Sequence, residues 1–457
     1  MRLKFDQRIW ILRALGLQNE IKFLPAPELK LTGKVPLIME VLIWVLATLF
    51  FTLLAVNLKS PGKRIEHRIS PEGALDSSTV TRSLGQLLGP PLTSGNLVQA
   101  LHNGDQIFPS MLQAIQSAQL TITFETYIYW SGEIGKRFTE AFAERARSGV
   151  RVHILLDWIG CQQIDRSMLE LLERAGVEVE RYRPIRWYNL TRINNRTHRK
   201  ILVIDGKIGF TGGVGIADQW LGNAQDASHW RESHFRIEGP VVAQLQAAFM
   251  DNWNVMNSGV LHGDRYFPEI AECGPSLAQV FKSSPEEGSG SVRLMYLYAI
   301  AHAKKTIQIA NAYFVPDSHL RKVLIDAAKR GILIEIIVPG PITDVAISRR
   351  ASRAVWGEML KAGIRFYEFQ PTMYHCKYMI VDGLWVSVGS TNLDNRSFRL
   401  NDECNLNVID RPWAQALSLK FVEDRHLSLE MTYEIWRRRP VPIRVIEWLS
   451  SWLESQV

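Results

Sequence analysis

Along most of the chain apolar residues come in short groups broken by polar ones, but one stretch differs. Val41 to Leu58 (VLIWVLATLFFTLLAVNL) carries no charge, and Leu37-Ile38-Met39 extends it past the single Glu40. Eighteen or more such residues are enough to cross a bilayer core as a helix. The run is apolar on every face, which suits lipid better than a half-covered core position. About forty residues precede it, too many for a secretory signal. Lys22, Lys30 and Lys34 come before it and Lys59, Lys63, Arg64 and Arg68 after it, so charge leaves the orientation open.

After this run the pattern is helix followed by strand, and it occurs twice. Ala114 to Ile122 (AIQSAQLTI) matches Ala299 to Ile307 (AIAHAKKTI), and each copy continues into an aromatic strand end at Glu125-Thr126-Tyr127 and Asn311-Ala312-Tyr313. Each copy then has an amphipathic helix, a Gly and an apolar strand: Gly149 before VRVHILLD and Gly331 before ILIEIIVP. A further helix ends at Ala175-Gly176 and at Ala362-Gly363. Such alternation predicts an α/β fold, with mixed or largely parallel sheet flanked by helices. The repeat is too long for a solenoid and reads as internal duplication of one domain. The expected organisation is an N-terminal segment over 1–36, a transmembrane helix over 37–58 and a Ser/Pro/Gly/Thr-rich tether over 59–97. The halves follow at 98–282 and 283–435, meeting at SSPEEGSGS, and a basic amphipathic tail closes the chain over 436–457.

Both halves end in one local pattern. The first reads His198-Arg199-Lys200-Ile201-Leu202-Val203-Ile204-Asp205-Gly206, the second His375-Cys376-Lys377-Tyr378-Met379-Ile380-Val381-Asp382-Gly383. Residues two apart on a strand share a face, so each His and Lys point together. Asp-Gly is a strong hairpin signal and turns the chain back into KIGFTGG or LWVSVGS. Asp205 and Asp382 complete the motif and stand with the catalytic candidates, although a carboxylate at a turn more often holds backbone amides. One His-x-Lys-x4-Asp copy is a weak signal; two at equivalent points of a duplication are a strong one.

Together with FETYIYWSGEIG, THRKILVIDGKIGFTGG and GSTNLDNRSFRLNDECN, these motifs resemble bacterial cardiolipin synthases of the phospholipase D superfamily, from about Gly95 to Trp436. The resemblance implies a duplicated phospholipase D fold with pseudo-twofold symmetry and both His-Lys pairs around one phosphate. It implies His198 as nucleophile, forming a phosphohistidine, and His375 as general acid and base. Lys200 and Lys377, helped by Ser390 and Asn392, would neutralise the phosphate oxygens as charge builds. Glu232 and Glu403 match the family's acidic positions downstream of each motif and would fix the imidazole tautomers. The first half departs from the second: Gly213 and Gly215 stand where Ser390 and Asn392 do, and many synthases keep Asn at the position of Gly215. The implied reaction transfers a phosphatidyl group between two phosphatidylglycerol molecules at a bacterial cell membrane, by a single-pass protein, with no metal and no organic cofactor. Water as acceptor would make it a phospholipase D hydrolase; a superfamily nuclease and a catalytically dead scaffold are further alternatives.

Composition adds little. A net charge of +7 favours an anionic partner without choosing between nucleic acid, membrane and phosphate-bearing substrate; the bilayer run and the synthase-like strings speak against nucleic acid. Cys161, Cys273, Cys376 and Cys404 have neither C-x-x-C nor metal-ligand spacing. Arg181 to Lys200 holds seven basic and no acidic residues, with Tyr182, Trp187 and Tyr188 between them, as a headgroup contact or a solvated loop would. In the tail, Ile443, Ile446, Trp448, Leu449, Trp452 and Leu453 occupy much of one helical face, to lie in an interface or to pack on the body. Phe5–Leu17 has a weaker version of that pattern.

Overall fold

The computed structural model describes residues 37–58, 69, 73–185, 194–285 and 291–452. The expectations for 1–36, for Trp187 and Tyr188, for 286–290 of the junction and for Leu453 lie outside the described residues. The apolar run forms one 22-residue helix, Leu37–Leu58. Its described side chains, 39–49 and 52, are exposed except for Ala47. Among the described residues no helix is long and apolar enough to cross a membrane. A bilayer span by this segment therefore belongs to the proposal and not to the fold.

The remainder of the chain is built around a 16-stranded mixed sheet whose two ends mirror one another. In the first half the order from the edge is Glu178–Tyr182, Arg151–Asp157, Thr121–Thr126, Ile201–Ile204, Ile208–Gly212, Ser233–Glu238 and Thr93–His102. The second half repeats it with Arg365–Phe369, Leu333–Pro339, Thr306–Asn311, Lys377–Val381, Trp385–Gly389, Asn401–Ile409 and Ser276–Ser283. Thr93–His102 and Ser276–Ser283 pair antiparallel at the junction, and Ser428–Met431 adds an outer edge strand to the second half. The three outer strands common to both halves are parallel. Buried on both faces, they read as apolar runs: RVHILLD and LIEIIVP are buried from their second residue onward.

Segment 73–97, expected as tether, is ordered. Ser77 caps a helix, Ser78–Leu88, by accepting from the Val80 N–H, and Val80, Leu84 and Leu88 bury one stripe in the second half's core. The Ser and Thr between these positions hid a period of four. Other apolar clusters serve the first half and the space between halves; in the latter Ile201, Phe235 and Tyr182 meet Tyr374, Tyr378 and Val386. Each Asp-Gly turn has both residues at positive φ, +52° and +66° at Asp205-Gly206, +55° and +56° at Asp382-Gly383. That handedness matches the twist of paired strands, and Ile204 pairs with Ile208 as Val381 does with Trp385.

Candidate active site

The sheet order sets the site. Each His precedes its strand and is tied by backbone to the other half. Arg196 and Thr197 pair in parallel with Asn401 and Asp402, and the His198 N–H donates to Asp402 O at 2.9 Å. Tyr374 bridges to Arg231, and the His375 N–H donates to Arg231 O at 2.8 Å. Each imidazole thereby lies beside the carboxylate of the opposite half. His198 Nδ1 is 3.0 Å from both Glu403 oxygens, and His375 Nδ1 is 2.5 Å from Glu232 Oε2. With Nδ1 held, each Nε2 is the nitrogen left for chemistry. This exchange of carboxylates was not readable from the sequence, since it depends on segments 205 and 143 residues apart.

The lysines lie close to their own histidines. Lys200 Nζ donates to His198 O at 2.8 Å and Lys377 Nζ to His375 O at 2.6 Å. Lys377 Nζ also lies 3.1 and 3.2 Å from the two ring nitrogens of His375. A tyrosine ring flanks each pair: Tyr127 is edge-on to His198 at 5.5 Å and Tyr313 to His375 at 6.1 Å. His198 and His375 line one cavity of about 500 Å³, with Lys200, Asn392, Asp344 and Arg396 in its wall. Trp220 and Trp230 cover His375 at 5.4 Å each. Nothing in the local sequence distinguished Trp220, Trp230, Asp344 or Arg396, because segments distant in the chain bring them to the wall.

Some expected contacts fall elsewhere. Asp205 accepts the N–H groups of Gln119, Leu120 and Thr121, at 2.9, 2.7 and 2.8 Å, and Asp382 those of Lys304, Lys305 and Thr306 at 2.8, 2.7 and 2.9 Å. Neither lines the cavity. They clamp the start of the neighbouring strand, the amide-holding role expected of a carboxylate at such a turn. Asp205→Ala or Asp382→Ala is expected to lose about 2–3 kcal/mol of stability, three amide partners going at once. Denaturant unfolding checks this, and an unchanged midpoint with lost catalysis would restore a chemical role.

Ser390 donates its hydroxyl to Glu403 Oε2 and accepts the Cys404 N–H at 3.0 Å, so it orients the carboxylate and is not part of the cavity lining. Asn392 lines the cavity with its amide oxygen unpartnered among the described residues. In the first half a Cβ at Gly213 would come within 2.3 Å of Glu232 Oε2, and one at Gly215 within 3.0 Å of the Trp220 ring. The carboxylate and the indole fill the room that Ser and Asn would need. Glu232 therefore lacks the hydroxyl donor that Glu403 has and takes the Ser233 N–H at 2.9 Å instead.

The electrostatics follow. Burial pushes His198 down to about 4 against the pull of Glu403, and it pushes His375 well down, with Lys377 adding to the effect. Burial also lowers Lys200 to about 7, partly offset by Glu403 and reinforced by Lys377, and it lowers Lys377. Burial raises Glu232 above the usual carboxylate range, whereas for Glu403 the His198, Lys200 and Ser390 contacts outweigh burial and hold it below. Cys376 and Cys404, next to the site, are buried thiols pushed up to about 12. No group of His, Cys, Asp and Glu able to hold a metal occurs among the described residues.

A family model described as cardiolipin synthase, PLD-like domain, matches residues 111–253 and 296–425. Cardiolipin synthase 1 of Bacillus anthracis is 33% identical over 397 residues, spanning 84% of this chain and 77% of that one. A cardiolipin synthase of Geobacillus kaustophilus is 35% identical over 367 residues, spanning 79% and 73%. Among solved structures, phosphatidylserine synthase of Haemophilus influenzae superposes with a TM-score of 0.61 at 13% identity, covering 82% of this chain and 99% of that one, a likeness of fold. By its sequence and by its paired His-Lys motifs, the chain belongs to the cardiolipin synthase, phospholipase D-like family.

Proposed function

We propose that the protein is a phosphatidyltransferase that joins two phosphatidylglycerol molecules into cardiolipin, releasing glycerol, through a phosphohistidine. The observation that carries this reading is the opening of both imidazoles, each held at Nδ1 by a carboxylate of the other half, onto one cavity. Nε2 of His198 attacks phosphorus as the P–O bond to glycerol breaks, and His375 gives its proton to the departing oxygen. The acceptor hydroxyl then passes its proton to His375 and its oxygen to phosphorus as the P–N bond breaks. Dividing one displacement into two lowers each barrier. His198 suits attack because its partner Glu403 stays ionised and stabilises the charged ring that phosphorylation creates. His375 suits proton transfer because Glu232, with its raised pKa, lies in a short contact with it. Burial lowers the pKa of His375, and the charge of an arriving phosphodiester favours its protonated form. Lys200 and Lys377 neutralise the non-bridging oxygens. Helix Leu37–Leu58, uncharged from Val41 onward, anchors the enzyme in the bacterial cell membrane by a single pass.

The test is direct. Labelled phosphatidylglycerol in micelles, with chelator present, should yield cardiolipin and glycerol; phosphatidic acid alone would contradict the transfer. The pH profile is a second expectation. His198 acts unprotonated, so kcat/KM falls as pH drops through about 4. His375 and Lys200 both act protonated, so kcat/KM also falls as pH rises, first through the lowered pKa of His375 and again through about 7 with Lys200. Bound phosphate stabilises the ammonium, so the alkaline limb of kcat lies at higher pH than that of kcat/KM. Coincident alkaline limbs would show that bound phosphate holds neither His375 nor Lys200 protonated.

A further inference from the structure

The C-terminal helix Val441–Ser451 turns its polar side to the protein and its apolar side to solvent. Glu447 and Ser450 are buried, and Glu447 pairs with Arg353 at 3.1 Å and Arg439 at 2.6 Å. Arg353 also holds Glu368 at 2.9 Å, so a buried ionic network fixes the rotation of the helix. Val441, Val445, Trp448 and Trp452 recur at i, i+4, i+7 and i+11, forming one exposed stripe whose first three members border an open groove with Val355 and Trp436. These four, with Ile446 and Leu449 beside them, are between 45% and 66% exposed. The rings of Trp448 and Trp452 stand edge to face at 4.6 Å. A helix on a water-facing surface does the reverse, and adjoining exposed apolar side chains mark a contact surface.

Two further observations choose the partner. Arg437, Arg438 and Arg444 are exposed on and just before this helix. A twofold contact with a second copy would crowd these like charges together, whereas lipid phosphates would complement them. Tryptophan, aliphatic side chains and arginine are the combination that the headgroup–acyl boundary accepts. The helix also packs on Ala346–Ala354, whose Ile347 and Ser348 line the catalytic cavity. Ile347 is itself exposed, so one helix separates the apolar stripe from the cavity wall.

We propose that Val441–Trp452 is a second membrane contact: an interfacial helix that docks the catalytic body on an anionic phospholipid surface and brings the cavity to headgroup level. Its value to catalysis rests on the lipid substrate proposed above; the docking itself rests on the inverted helix. The full-length chain, with exposed Cys273 changed to Ser, is reconstituted in phosphatidylglycerol–phosphatidylcholine vesicles. Nitroxides are placed singly at Val445→Cys, Trp448→Cys and, as a water-facing reference, Leu419→Cys. Collision with oxygen should exceed collision with a water-soluble nickel chelate at 445 and 448, and the order should reverse at 419. Nickel access at all three positions, or nitroxide–nitroxide proximity between copies, would overturn the proposal. Trp448→Glu with Trp452→Glu should lower the ratio of vesicle turnover to turnover of monomeric short-chain phosphatidylglycerol by roughly tenfold or more. An unchanged ratio refutes the dock; loss of both activities in the parent chain would instead refute the transferase reading.

Discussion

His198→Ala abolishes turnover of phosphatidylglycerol, a fall of at least about 10⁴-fold, and leaves no burst with any substrate. His375→Ala also stops turnover of phosphatidylglycerol but behaves differently with a phosphatidyl ester of p-nitrophenol. That leaving group departs without a proton, so attack by His198 needs no acid. The second step still needs a base for the acceptor hydroxyl, so the intermediate accumulates. The expected result is one rapid equivalent of p-nitrophenol followed by a near-zero steady rate. A burst in the His198 variant and none in the His375 variant would exchange the roles assigned to the two imidazoles. Near-normal rates in either would remove that residue from the mechanism.

The second large effect separates the two carboxylates. Glu403→Gln loses the anion that orients His198 and balances its charged form, and kcat should fall by roughly 10³–10⁴-fold. Burial raises the pKa of Glu232, whereas Glu403 is held ionised by its contacts, so Gln at 232 gives up less stabilisation. The expected fall is smaller, about 10–100-fold. The cause is structural. Glu403 has the Ser390 hydroxyl, whereas Glu232 faces Gly213, which has no side chain to donate. Steady-state kcat on phosphatidylglycerol measures the asymmetry, and proton NMR measures the pairing: the His198 Nδ1 proton should lose its downfield shift in Glu403→Gln and keep it in Glu232→Gln. Equal kinetic effects would contradict the asymmetry, and loss of that signal only in Glu232→Gln would contradict the exchange of carboxylates between halves.

Much of this architecture was legible in the residues because it depends on local periods. The two-residue period of a strand places His198 with Lys200 and His375 with Lys377, and Asp-Gly marks both hairpins. The helix–strand repeats announce the duplication, which the sheet displays as two mirrored strand orders. Whatever depends on sheet order was not legible. Glu403 was expected near a motif histidine, but only the pairing of Thr197 with Asp402 assigns it to His198. Ser390 was expected on the phosphate because its family string suggests a donor; in three dimensions that donor is spent on Glu403. The Ser- and Thr-rich composition near residue 80 concealed a helix whose buried positions fall every fourth residue. In the C-terminal tail the apolar face was visible, but its direction was not; the burial of Glu447 decides it.

The account depends on the convergence of two duplicated motifs upon one phosphorus atom. Mass-spectrometric mapping of the intermediate trapped in His375→Ala, with labelled phosphatidyl donor, tests this most directly. One phosphatidyl group per chain, on His198 alone, is the predicted result. Label on a residue other than His198, or on no histidine while donor is consumed, would contradict it.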